Sequence, residues 1–173
     1  LARAFARRGA TVSGIDISDS QIEEARKIAA ADGIAVDFQV CPAEEMDVPD
    51  STFDVISAAQ SWLYFESSVV IPKVLRALKA EGCLLLTHLI WLPLQDPIAR
   101  ESEQLVLKFN PDWKGANFKG GLPHIPGWSR EEFDLKTFHV INQSIEFTRE
   151  SWRGRFRACR GIGASLSDEL VTQ

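Results

Sequence analysis

Apolar positions recur along the chain with two alternating periods, and the alternation predicts its elements in turn. Leu1 and Phe5 share a face at i, i+4 spacing, so residues 1–8 read as a helix stopped at Gly9. Residues 11–17 follow as a strand rich in β-branched side chains. Ser18 caps the next helix, and Gln21 three residues on completes a capping box. That helix carries Ile22, Ala25, Ile28 and Ala29 on one stripe and ends at Asp32-Gly33. Residues 35–40 read as a strand, 49–52 as a turn and 53–59 as a further strand. Ser67 or Ser68 opens a helix bearing Ile71, Val74, Leu75 and Leu78, and Glu81-Gly82 breaks it. Residues 83–89 form a nearly continuous apolar run, the signature of a parallel strand covered on both faces.

Strands and helices in short alternation predict a doubly wound α/β sheet. The rhythm breaks after Trp91. Residues 96–109 read as one helix, whereas 110–128 are rich in Pro, Gly, Trp and Phe, with little periodicity. Ser129 with Glu132 predicts another helix cap, and 135–141 and 143–147 read as two strands closing the sheet. Thr148 caps a helix through Arg157, and Ser167-Asp168-Glu169 begins a last one. A length of 173 residues suits a single domain with one sizeable core.

Charge narrows the possible partners. A net charge of −5 disfavours non-specific nucleic-acid binding, which needs a basic face. The basic cluster Arg149, Arg153, Arg155, Arg157 and Arg160 reads as a solvated helix face. Cys41, Cys83 and Cys159 lack metal-ligand spacing, which argues against a zinc site or a disulfide framework and for a reducing compartment. No apolar run approaches the ~20 residues needed to span a bilayer. The first eight residues superficially resemble a targeting peptide but lack its apolar stretch. The expectation is a cytoplasmic protein with a small-molecule partner, no nucleic acid, no membrane and a possible homodimer.

In open α/β sheets ligands bind beyond the carboxyl ends of the strands. Asp16 stands at such an end, ahead of a capped helix, where a carboxylate can accept hydrogen bonds from both hydroxyls of a ribose. The other reading is an acid favoured by the helix N-terminus alone. Two further strand ends run into Cys41-Pro42-Ala43-Glu44-Glu45-Met46 and Gln60-Ser61-Trp62, ordinary loop residues when taken singly.

Taken together, three segments resemble the class I S-adenosylmethionine-dependent methyltransferases. Gly14-Ile15-Asp16-Ile17-Ser18, with Ile22, Ala25 and Arg26, is similar to the family's second strand and helix. Cys41-Pro42-Ala43-Glu44-Glu45-Met46 and the following Val48-Pro49-Asp50-Ser51-Thr52-Phe53-Asp54-Val55-Ile56 resemble its glycine-acid-alanine-glutamate and Pro-Asp-Gly-Ser-Phe-Asp stretches. Residues 74–86, Val-Leu-Arg-Ala-Leu-Lys-Ala-Glu-Gly-Cys-Leu-Leu-Leu, resemble the Arg-Val-Leu-Lys-Pro-Gly-Gly segment ahead of its fifth strand.

The resemblance implies a Rossmann-like sheet, S-adenosyl-L-methionine as cofactor and methyl transfer to a small-molecule acceptor. It implies that Asp16 holds the ribose, Ile17 packs on the adenine, Ala43 and Glu44 line the adenine edge, and Gln60 sits by the sulfonium or methionine tail. Residues 1–90 would be the cofactor-binding part, 91–134 an inserted lid over the acceptor, and 135–173 the last strands and helix. Pro42 replaces an acid common in the family, and Cys41 a glycine. The family's glycine-rich turn lies about 20 residues before the ribose acid, which places it ahead of Leu1. The expectation is therefore an N-terminally truncated domain whose first strand and glycine loop are missing.

Methyl transfer needs alignment and a dry pocket more than a catalytic side chain. His88, at a strand end, is the candidate base, with His124 and His139 behind it. Trp62, Tyr64, Trp91, Trp113, Phe118 and Trp128 could line an aromatic acceptor pocket or simply pack core and lid. Two rival readings are a non-catalytic methyltransferase-like binding module and a nicotinamide-dependent dehydrogenase, whose ribose Asp16 would also suit.

Overall fold

Ser18 starts the first long helix as its cap pattern predicts: the hydroxyl accepts the Gln21 amide at 3.4 Å. A computed structural model describes residues 1–116, 118, 125–159, 161–163 and 165–171. The glycine-rich stretch 119–123 and His124 lie outside the described residues. Two compact units, Leu1–Leu89 and Ile90–Gln173, divide the chain.

In the first unit, helix α1 (Ala2–Ala6) leads through Gly9, at φ +88°, into strand β1 (Ser13–Asp16). Helix α2 (Asp19–Ala31) stops at Gly33, at φ +66°, a conformation that favours glycine at a helix end. Strand β2 (Asp37–Val40) runs parallel to β1, with Ser13 opposite Asp37 and Asp16 opposite Val40. Gly14 pairs with Phe38, and a Cβ at Gly14 would come within 2.9 Å of the phenyl ring. The missing side chain lets Phe38 fold over the strand into a core with Ile22 and Ala29.

Strand β3 (Phe53–Ala59) is followed by helix α3 (Ser67–Ala77) and strand β4 (Leu78–Thr87), which is parallel to β3. Glu66 rather than Ser67 or Ser68 caps α3, and Val70, Ile71, Val74 and Ala77 form its buried stripe. Glu81-Gly82 does not end the helix as expected: α3 stops at Ala77, and Glu81-Gly82 lie inside β4. The strand starts at Leu78, opposite Phe53, and an irregularity between Phe53 and Val55 brings Val55 opposite Cys83. Gly82 is needed there because a Cβ would meet the carbonyl oxygens of Lys79 and Phe53 at 3.0 Å. Helices α2 and α3 thus make the crossovers that parallel pairing requires, giving an α/β architecture. The strands form two pairs, β1–β2 and β3–β4, not one continuous sheet.

The second unit contains α4 (Pro97–Phe109), α5 (Trp128–Glu132), α6 (Arg149–Arg157) and α7 (Asp168–Val171). Asp96 caps α4 through the amides of Ile98 and Ala99, with Pro97 at its first position, and Thr148 caps α6. The expected cap at Ser129 is not found: α5 begins after Gly127, and the Ser129 hydroxyl donates to the Pro126 carbonyl at 2.7 Å. Nor are residues 135–141 and 143–147 strands. They run without ladder partners and leave Leu135, Ile141 and Ile145 exposed. Period-two alternation gives a segment two faces, but only a neighbouring edge makes it a strand. Among the described residues, no helix is long and apolar enough to cross a membrane.

Candidate functional site

The tip of β1 is built from backbone constraints. Asp16 turns one carboxylate oxygen, Oδ1, to the Ser18 amide at 2.9 Å, and its side chain is otherwise exposed. Ile17, the next residue, is 74% exposed. The Cys41 amide donates to the Asp16 carbonyl at 2.9 Å, so the loop after β2 is pinned to this tip.

That loop forms a short 3₁₀ turn, Ala43–Glu45, with Ala43 buried beneath it. The Glu44 carboxylate accepts the Glu66 amide at 2.8 Å. This bond, helped by the amide of Glu44 itself, holds the carboxyl below the usual carboxylate range. Lys73 of α3 donates to the Met46 carbonyl at 2.9 Å. The loop after β2 is therefore tied both to β1 and to α3, and through α3 to the β3–β4 pair.

At the end of β3, Gln60 takes φ +63°, the left-handed region that non-glycine residues seldom occupy. Its amide donates to Thr87 at 3.0 Å and its side-chain nitrogen to the Leu89 carbonyl, which fixes this turn against the end of β4. Backbone strain of this kind gathers at ligand-binding turns. Trp62 is buried edge-on against Phe65, with ring centres 5.6 Å apart, while Leu63 and Tyr64 stand exposed. His88 lies exposed one residue beyond β4, and the His139 ring lies 2.7 Å from the Thr137 hydroxyl.

The structure pins the end of β1 at Asp16 to Cys41, two residues before Ala43, and sets Gln60 and His88 just beyond the ends of β3 and β4. Hydrogen bonding does not join Asp16 to Gln60. Of the proposed aromatic pocket, Trp91 and Trp113 belong instead to a ring cluster with Trp152 and Phe156, and Trp128 packs on Phe133. Sequence reasoning missed Glu66 and Lys73. Their partners lie 22 and 27 residues away, and no local pattern announces such ties.

Residues 1–82 match the family model described as a methyltransferase domain. Over 56 residues, 32% of this chain and 22% of the relative, the sequence is 41% identical to a ubiquinone biosynthesis O-methyltransferase of Rhizobium leguminosarum. Over 91 residues, 49% of this chain and 38% of the relative, it is 34% identical to the enzyme of that name from Actinobacillus pleuropneumoniae. Among solved structures, the PH0226 protein of Pyrococcus horikoshii superposes with a TM-score of 0.50 at 29% identity, covering 62% of this chain and 48% of that one. The chain spans less than half the length of each of these relatives. Residues 1–82 thus match a methyltransferase domain in sequence and carry parallel strands with helical crossovers, as an α/β fold requires.

Proposed function

We propose that the protein transfers a methyl group from S-adenosyl-L-methionine to a small-molecule acceptor, using the carboxyl ends of β1, β2 and β3 as its cofactor face. The observation that carries this reading is the exposed Asp16 carboxylate at the tip of β1, beside the exposed Ile17 and pinned to the residue 41 loop. These residues suit a nucleoside: a charged acceptor for ribose hydroxyls stands next to an apolar face for a flat base. Ala43 and Glu44 are proposed at the adenine edge. The bond from Glu66 uses part of Glu44, so its role there is to hold the loop in shape as well as to face the base. Gln60 is proposed beside the methionine portion, presenting the carbonyl oxygen that its own bond to Leu89 leaves over.

When bound, the sulfonium supplies an activated methyl group and a neutral leaving group. The chain's own residues orient the partners and exclude water, and most of the rate enhancement comes from that alignment. Two relatives are named O-methyltransferases, which supports an oxygen nucleophile on the acceptor. A hydroxyl acceptor must give up its proton, and His88, at the end of β4, is the proposed base.

Calorimetric titration of the intact protein with S-adenosylhomocysteine tests the reading. Losing charge-assisted hydrogen bonds in Asp16→Ala should weaken binding roughly ten- to a hundred-fold. Unchanged affinity in Asp16→Ala would remove the ribose from Asp16, and no binding by the parent protein would remove the cofactor reading itself.

A further inference from the structure

Several arginine side chains of this protein have a defined partner. Arg3 and Arg7 reach Asp32, and Arg26 reaches the Phe38 carbonyl. Arg76 engages Asp47 and Asp50, and Arg155 lies over the Trp91 ring, 5.2 Å from its centre. Arg100 and Arg130 make no such contact among the described residues, and three arginines of α6 make none either. Arg149, Arg153 and Arg157 sit at i, i+4 and i+8, so they share one helix face, and none makes an ion pair or side-chain hydrogen bond to a described residue.

The arrangement is unfavourable when left bare. Like charges four residues apart repel along a helix. Arg149 also occupies the first position of α6, where the positive end of the helix dipole disfavours a cation. The helix nevertheless holds its shape, because Trp152 and Phe156 anchor it from another face. Trp152 packs on Phe147 and Phe156 with ring centres 5.1 and 4.9 Å apart, its indole N–H donates to Ser102 at 3.0 Å, and Phe156 stacks on Trp91 at 5.0 Å. The three guanidinium groups are therefore carried on a fixed platform. Together with Glu150 they bound an open depression of about 420 Å³.

We propose that this depression is an anion site for a small molecule carrying a phosphoryl or diphosphoryl group. The planar guanidinium fork matches phosphoryl oxygens in pairs. With a rise of about 1.5 Å per residue, the three arginines span about 12 Å along the helix. Neighbouring arginines can meet one phosphoryl group, and all three can converge on a diphosphate. An anion there would relieve the repulsion that the helix otherwise carries. Glu150 at the rim disfavours indiscriminate adsorption of polyanions. The site does not depend on the cofactor reading, since its binding requires no methyl transfer.

Inorganic pyrophosphate titrated calorimetrically into the intact protein at low ionic strength is the test, with inorganic phosphate as the weaker comparison. Saturable one-to-one binding of pyrophosphate is expected. Arg153→Gln, which keeps the helix-forming stem and removes the fork, should weaken it roughly ten-fold or more. Arg149→Gln with Arg157→Gln should abolish it, while Arg130→Gln on α5 leaves it intact. Circular dichroism of each variant checks that the helix persists. Absence of saturable binding would overturn the site, as would binding that survives all three substitutions. Co-sedimentation with phosphatidylglycerol vesicles in the absence of pyrophosphate binding would overturn it too, by showing a surface rather than a site.

Discussion

The two units of this chain are held together by different physics. In Leu1–Leu89 the order comes from paired parallel strands and helices whose aliphatic stripes bury Ile22, Val70, Ile71 and Val74. In Ile90–Gln173 no strand occurs among the described residues, and the order centres on rings: Trp91 meets Trp113, Trp152 and Phe156, with ring centres 5.0 to 6.5 Å apart. The Trp91 indole N–H also donates to Glu103, a carboxylic side chain only 2% exposed. A region of repeated local contacts shares its stability among many small terms. A region organised on one large aromatic side chain concentrates it, and so invites a larger single-residue loss.

The sharpest way to break that comparison is Trp91→Ala. Removing the ring deletes three aromatic contacts, the Arg155 cation–π contact and a hydrogen-bond partner of a buried carboxyl. Trp91 keeps some exposure, so the expected loss is about 3 kcal/mol, the lower end for deleting a large aromatic. Near-ultraviolet circular dichroism during urea unfolding reports both the stability and the coupled rings. A loss below about 1 kcal/mol would show that the ring cluster is not what holds this unit.

The next largest effect belongs to the first unit, at Gly14. Alanine there would push a Cβ to 2.9 Å from Phe38, and the ring must leave the core it forms with Ile22 and Ala29. Overpacking of this kind costs about 1–3 kcal/mol. Gly14→Ala combined with Phe38→Leu should recover part of the loss, because the smaller side chain vacates the contact. Equal losses for the single and double variants in urea titrations would refute the steric account.

Gly14 also shows what the sequence made legible. Elements whose signals are local came through: the Ser18, Asp96 and Thr148 caps, the strand Phe53–Ala59 and the buried stripe of α3. Asp16 and Gln60 were legible as strand-end residues for the same reason. Failures came where identity does not determine partner. Glu81-Gly82 carries the residues of a break, but Gly82 serves a bulge between carbonyl oxygens of Lys79 and Phe53. Residues 135–147 alternate like strands, yet alternation does not supply an edge to pair with. The tie from Glu44 to Glu66 joins two loops across 22 residues and leaves no periodic trace.

A smaller effect, of opposite sign, should appear on α6. Gly154 lies inside that helix, and a Cβ added to it would meet nothing within 4 Å. Glycine in a helix interior is roughly 0.5–1 kcal/mol less favourable than alanine, so Gly154→Ala should stabilise the second unit by up to about that amount. Alongside Trp91→Ala, it measures how much of this unit rests on helix propensity and how much on the rings. Destabilisation in thermal melts would mean that Gly154 fits a contact absent from the described residues.

The smallest effect is expected at Glu44, and its pH dependence identifies it. The folded-state pKa of Glu44 is lowered, chiefly by the Glu66 amide, so its charged form is the one that folding favours. Its contribution is then fully present above the ordinary glutamate pKa, about 4.3, and is lost as pH falls through the lower folded value. Glutamine keeps a carbonyl oxygen for the Glu66 amide but cannot titrate. The parent protein should therefore exceed Glu44→Gln in stability near neutrality, and the difference should shrink below about pH 4. A pH titration of the Glu66 amide by nuclear magnetic resonance isolates the bond from the rest of the molecule. In the parent, the amide signal should show an acid transition below the ordinary glutamate range, and that component should vanish in Glu44→Gln. Identical titration curves for the two proteins would mean that Glu44 does not hold the loop after β2 against α3. The loop after β2 would then be held to α3 by the Lys73–Met46 bond, the Arg76–Asp47 ion pair and the burial of Ala43.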